Sequence, residues 1–306
     1  MDTLVADAAD RIFADHVDKP LLDRAESGEF PQRLWQVLCE AGLHLVGTKD
    51  SGTGLSDTFG LLKVAGRHAV PLPLAEVWIA GFVLGGEEAD ALTVVADDGL
   101  VVAWGRRAER VLTLDGRLAT EFSAESGAHL AGAPRARLRV DGASEVDLPG
   151  EMPELMATTR AALAAGALER TLELAIEYAT TRSQFGRTIS RFQAVQHQLA
   201  VLAGEVAAAV RACDGAIEAL DGAAFGTQAA VAKARVGEAC GMAAEIAHQV
   251  HGAMGFTHEH TLHHFTRRLW SWRDEFGNEA YWQRRLGERL AATGADGLWD
   301  FIAQEG

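Results

Sequence analysis

The chain has 306 residues, 48% of them apolar, with Lys plus Arg 28 against Asp plus Glu 43 and a formal net charge of -15. That length and apolar content support a real core and exclude a disordered chain, while the acidic excess repels phosphate backbones and anionic lipid, making nucleic acid and membrane surfaces poor partners. Three separated cysteines, Cys39, Cys213 and Cys240, in no CxxC pair argue against a disulfide framework and fit a reducing cytoplasm.

In chain order, MDTLVADAADRIFADHVDK reads as an acidic amphipathic helix without the basic start and apolar middle of a signal peptide. Leu34, Leu38 and Leu43 continue the helical spacing. SGTGLSD (51–57) predicts a loop, and LLKVAGRHAVPLPLAEVWIAGFVLG returns to helix, broken at Pro71 and Pro73. Residues 91–150 change character: ALTVVADD, LVVAWG, RVLTLD and ARLRVDG are short, Val/Leu-rich and punctuated by glycine, the pattern of a small, mostly antiparallel sheet. From 151 onward Ala/Leu/Glu/Arg stretches predict four long helices at 153–181, 190–220, 225–253 and 262–291, hence a four-helix bundle. The predicted layout is mainly α with a small β domain: an N-terminal helical domain (1–90), a reduced middle β domain (91–150) and a C-terminal bundle (151–306). No apolar stretch approaches the roughly 20 residues of a membrane span, and no glycine-rich dinucleotide loop is present.

Two stretches carry chemistry. In YATTRSQFGRTISRFQAVQHQLA a helix ends at Gly186 and another starts after Thr188 or Ser190, so Arg182, Arg187 and Arg191 bracket a corner. An ordinary solvated turn fits this pattern, and so does a pyrophosphate clamp, with paired guanidinium donors beside a helix N-terminus. HGAMGFTHEHTLHHFTRRLWSWRDEFGNE holds five histidines, His251, His258, His260, His263 and His264. His260 and His264 stand at i,i+4, yet there is no HExxH and no carboxylate placed as a third ligand, so the expectation is no metal, with the histidines as partly exposed helix-start residues. Trp270, Trp272 and Trp282 fit a core or a subunit interface.

These stretches and the zone order resemble the acyl-CoA dehydrogenases: Arg182-Ser183-Gln184-Phe185-Gly186 is similar to that family's Arg-x-Gln-Phe-Gly corner, and HQVHGAMGF to its second flavin-contacting stretch. The resemblance implies FAD as cofactor, contacted by Arg182, Gln184, Phe185, Phe192, Gln193, Gln249 and Gly252, with Gly277 retained near the reacting end. It implies α,β-dehydrogenation of an acyl-CoA substrate, with a carboxylate removing the α-proton and the β-hydrogen leaving as hydride. The same resemblance allows an electron-transfer flavoprotein-type acceptor. The family's base position falls on Phe276, so Glu275 is the nearest candidate, with Asp274, Glu154 or a base on a partner as alternatives. Ala253 replaces the second glycine of the family's pair, and 91–150 lacks the family's Ser/Thr-Glu-Pro-x-x-Gly-Ser-Asp and Trp-x-Ser/Thr-Asn-Gly motifs. The short middle domain resembles the small subunits of heteromeric bacterial members, several acting on steroid side chains, in which a larger acyl-CoA dehydrogenase subunit completes an α2β2 heterotetramer. A self-sufficient homo-oligomer and a flavin-free structural subunit remain open at this point.

Overall fold

The computed structural model describes residues 3–86, 91–96, 99–127, 130–299 and 301. Five helices come first: α1 (Thr3–His16), α2 (Lys19–Glu26), α3 (Gln32–Glu40), α4 (Leu55–Arg67) and α5 (Leu74–Leu84). Five strands follow, β1 (Thr93–Val95), β2 (Val101–Ala103), β3 (Arg110–Leu112), β4 (Arg117–Gly127) and β5 (Arg135–Glu145), in the order β1-β3-β4-β5-β2. All pairings are antiparallel except β1 with β3, and the long β4–β5 ribbon forms the body of the sheet. The predicted boundary at residue 90 lies outside the described residues.

The C-terminal part holds α6 (Met152–Thr181), α7 (Gln193–Glu218), α8 (Phe225–His251), α9 (Leu262–Asp274) and α10 (Glu279–Thr293). α6 is the axis of the molecule. Residues 154–168 are buried on every side, as a helix packed all round must be. Its threonines return their hydroxyls to their own helix: Thr158 Oγ1 donates to the Glu154 carbonyl at 2.8 Å and Thr171 Oγ1 to that of Ala167 at 2.7 Å. α4 packs on α6 through Gly66 and Gly166, where each helix backbone lies against the other so closely that a Cβ on either glycine would overlap a carbonyl oxygen. One apolar cluster runs from Phe13 and Trp78 through the sheet's Val94, Val111 and Leu138 into Met156 and Leu202, so helices, sheet and bundle share a core.

Two predicted elements differ. The corner is a β-hairpin, with β6 (Ser183–Gln184) paired to β7 (Arg187–Thr188). Phe185 (φ 52°) and Gly186 (φ 77°) both take the left-handed conformation that a tight hairpin turn requires. A short 3-10 turn at Ile189–Arg191 precedes α7, whose N-cap is Phe192, so neither Thr188 nor Ser190 caps it. The fourth bundle helix is two helices, not one. The chain leaves helix at Glu275, Phe276 and Gly277 take φ of 53° and 93°, and the Asn278 side chain accepts from Tyr281 N at 3.0 Å to start α10.

Candidate functional site

The hairpin corner and the end of α8 meet in a groove of about 620 Å³, lined by Arg182, Gln184, Phe185, Phe192, Gln249 and Gly252 among others. Six of the eight residues expected to touch a cofactor thus share one concave surface. Gln193 is exposed at the start of α7 outside that lining, and Gly277 lines a different cavity. The α6 C-terminus delivers Arg182 exposed, with no ion pair among the described residues. The hairpin turn holds Phe185 91% exposed, an aromatic face presented to solvent. Gly252 ends α8 with φ 59° and open space where a Cβ would stand, so its backbone is approachable, while Ala253 beside it is exposed and leaves its methyl on the groove wall. The Arg187 guanidinium lies 4.3 Å from the Phe192 ring centroid.

The groove floor was not anticipated. Tyr178 stacks on His251 with ring centroids 4.5 Å apart, and His251 Nδ1 donates to the Ala247 carbonyl at 2.7 Å. Burial pushes His251 down to about 4, with the Ala247 bond opposing, so the imidazole is neutral at physiological pH. Exposed donors at the rim and stacked rings below suit a ligand with an anionic part and a planar part.

A second cavity, about 830 Å³, opens between the sheet and α9–α10. Asp274, Glu275, Phe276 and Gly277 line it together with Arg135, Trp270 and Tyr281. Glu275 is held by two guanidinium groups: Arg135 Nη2 at 2.5 Å from Oε1 and Arg160 Nε at 2.5 Å from Oε2. Arg160 also grips Glu76 at 2.5 Å. Burial opposes the charge on Arg160, but Glu76 and Glu275 outweigh it and lift its pKa above the ordinary value. Phe276 lies over this guanidinium at 4.8 Å. Glu154 is buried, paired to Arg285 at 2.6 Å, and does not line the cavity; Asp274 is exposed and does. Lys233, buried on α8, donates to the carbonyls of Arg273 and Gly277, both at 2.6 Å, and so fixes the turn from below. Burial lowers Lys233 to about 8, against the pull of nearby anionic groups. Trp282 Nε1 donates to the Phe276 carbonyl at 3.0 Å. Lys233 is not among the residues that the sequence singles out, and its place amid small residues of α8 is the one local trace of it.

The histidine stretch also differs from expectation. His251, His263 and His264 are buried, and only His258 is fully exposed. The i,i+4 pair does not converge: the His260 ring meets Tyr178 and His251, whereas His264 turns to Glu26, its Nδ1 2.7 Å from Oε1. Arg267 and Arg268 pair with the same Glu26, and Arg273 with Glu279. Trp282 is fully buried, while Trp270 and Trp272 are half-buried.

The chain is similar to known proteins in sequence and in fold. Residues 154–291 fit the family described as "Acyl-CoA dehydrogenase, C-terminal domain". The chain is 32% identical over 260 residues to Acyl-CoA dehydrogenase IpdE2 of Mycobacterium tuberculosis, covering 78% of this chain and 80% of the relative. Its fold is that of a chain in the ChsE4-ChsE5 complex from Mycobacterium tuberculosis, with TM-score 0.85, 22% identity, and coverage of 96% of this chain and 98% of that one. A chain of the Tcur3481-Tcur3483 steroid ACAD superposes with TM-score 0.83 at 24% identity, covering 95% and 97%. Fold, motif placement and the IpdE2 relationship together place the chain in the acyl-CoA dehydrogenase family.

Proposed function

We propose that the chain is one subunit of an FAD-dependent acyl-CoA dehydrogenase that converts an acyl-CoA thioester to its α,β-unsaturated form together with a larger subunit in an α2β2 assembly. The observation that carries this reading is the turn at Phe276: a phenyl ring stacked on Arg160 where the family's base position falls, beside a Glu275 locked between Arg135 and Arg160. A carboxylate clamped by two guanidinium groups is a weak proton acceptor. The α-proton therefore goes to a carboxylate of the partner subunit.

What this chain contributes is binding. Bound FAD supplies the hydride acceptor. Arg182 and Gln184 offer charged and amide donors to an anionic pyrophosphate, Phe185 and Phe192 offer aromatic faces, and Gly252 lets the backbone approach. Gln249 lines the groove in the same role, Gln193 stands exposed outside it at the start of α7, and Gly277 serves the turn rather than the groove. The named relationship to a steroid ACAD and a cavity of about 830 Å³ favour a bulky, steroid-derived acyl group as substrate. Electrons leave through an acceptor of the electron-transfer flavoprotein type. A cytoplasmic setting belongs to the same reading: three cysteines are free, and among the described residues no helix is long and apolar enough to cross a membrane. Exposed Asp274 on the cavity wall favours a second reading, a self-sufficient homo-oligomer with Asp274 as base.

The test is flavin content and turnover of the chain alone and co-expressed with a larger acyl-CoA dehydrogenase subunit. The expected result is FAD and activity in the complex only. In the complex, Arg182→Ala lowers FAD affinity about tenfold or more, the worth of a charge-assisted hydrogen bond, without changing the fold. One FAD per chain and acyl-CoA turnover by the isolated chain would establish the second reading. A complex that assembles without FAD would make the subunit structural.

A further inference from the structure

The structure assigns a metal site to Asp23, His263 and His264: a divalent transition ion of the Zn2+ type, held by two imidazole Nε2 atoms and one carboxylate oxygen, clips α2 to the start of α9. One donor atom from each of the three residues lies within 4.8 Å of the others. The inference is independent of the flavin groove and the Phe276 turn.

The protonation pattern argues for it. His263 Nδ1 lies 2.7 Å from the His260 carbonyl oxygen, which can only accept, so this nitrogen carries the proton. His264 Nδ1 lies 2.7 Å from Oε1 of Glu26, whose carboxylate also accepts from Arg267 and Arg268, so this nitrogen carries one too. Each ring is thereby turned so that Nε2 faces the other way. Both Nε2 atoms are buried, and both side chains are more than nine-tenths buried; His263 Nε2 makes no hydrogen bond among the described residues, and His264 Nε2 makes no aligned one, facing Asp23 Oδ1 at 3.1 Å. Two buried imidazole nitrogens aimed at a common region beside a carboxylate need an occupant. Donation of the far ring N–H to a carbonyl or carboxylate is the arrangement that orients a metal-binding histidine.

Asp23 supplies the third donor, with Oδ1 3.1 Å from His264 Nε2. That contact is satisfied by a proton on His264 or by a cation between the two groups, and these are the competing readings. The donor set decides the metal class, since imidazole selects Zn2+ and its transition-metal neighbours over Mg2+ or Ca2+. Asp23 is exposed, which leaves room for water as a fourth ligand. Lys19 already pairs with the other Asp23 oxygen at 2.6 Å, and Arg267 and Arg268 stand behind Glu26. Those cations weaken the site relative to a closed four-ligand centre. The donors come from chain segments about 240 residues apart, so a bound ion ties the N-terminal helices to the bundle.

The experiment uses full-length, tag-free protein, alone and in any complex it forms, stripped with chelator and titrated with Zn2+. One Zn2+ per chain and a higher unfolding temperature with Zn2+ are expected. Co2+ in its place should give the visible bands of a low-coordinate nitrogen–oxygen site. His263→Gln and Asp23→Asn should each lower Zn2+ affinity by at least about tenfold, while His258→Gln and His197→Gln leave it unchanged. Asp23 is exposed, so Asp23→Asn decides the matter if His263→Gln fails to fold. Absence of stoichiometric Zn2+, or equal binding by wild type and Asp23→Asn, would overturn the assignment.

Discussion

Arg160 sets the chemistry of the turn. It lies on the buried axis of α6, bridges Glu76 of α5 to Glu275, and supports the Phe276 ring. Its side chain is 2% exposed, and those of Glu76 and Glu275 are 7% and 9% exposed, so solvent cannot take its place. Removing one member of such a network leaves buried charge without its counter-ion, which costs about 3–5 kcal/mol. Arg160→Met should lower chemical unfolding stability by that amount. A loss below about 1 kcal/mol would show that Arg135 and water carry the network instead. Nothing in the residue order around Glu275 foretold the clamp, because its partners come from a strand and from the start of the bundle.

At the scale of elements, two glycines decide how the N-terminal helices dock. Gly66 on α4 and Gly166 on α6 let the helix backbones touch, and a methyl on Gly166 would overlap the Lys63 carbonyl oxygen. Gly166→Ala should destabilise by about 3 kcal/mol through enforced separation of the helices, read as a lower urea midpoint. Gly204 on α7 is exposed with nothing within 4 Å of a Cβ, and Gly204→Ala should stabilise by about 0.5–1 kcal/mol through helix propensity alone. Equal effects at the two positions would refute close packing as the cause. The same scale explains the split of the last bundle helix. Lys233 and Asn278 satisfy the backbone of the turn, and a Cβ on Gly277 would stand 2.6 Å from Tyr281 Cδ1, so the chain turns where composition still reads as helix.

For the whole molecule, buried titratable groups set how stability changes with pH. His251 lies between Tyr178, His260 and His248, and burial first, then those histidines, hold its folded value near 4 against an ordinary 6.5. A depressed histidine binds fewer protons in the folded state than in the unfolded one between those values. Its contribution to stability is therefore full above about 6.5 and is lost as pH falls toward 4, about 3 kcal/mol across the window. Lys233, near 8 when folded against 10.5, gives the same sign at the alkaline end, with stability rising from pH 8 to 10.5. His251→Phe keeps a ring on Tyr178 and should flatten the acid limb of thermal stability between pH 6.5 and 4. An unchanged slope would place the acid sensitivity elsewhere.

Periodicity and punctuation determined the order of elements, because hydrophobic spacing and glycine or proline breaks are local properties that survive without tertiary context. They placed the sheet between two helical parts and brought α6, α7 and α8 within a few residues of their observed ends. The Arg-x-Gln-Phe-Gly corner and the glycine at the end of α8 were also legible, since each is a short stretch whose side chains act together. Tertiary structure alone decided the rest. Whether Glu275 is free or clamped, whether His264 faces solvent or Asp23, and whether Lys233 pins a turn all depend on groups distant in sequence. Charge and hydrogen-bond pairing across such separations is fixed by packing, which no local pattern encodes.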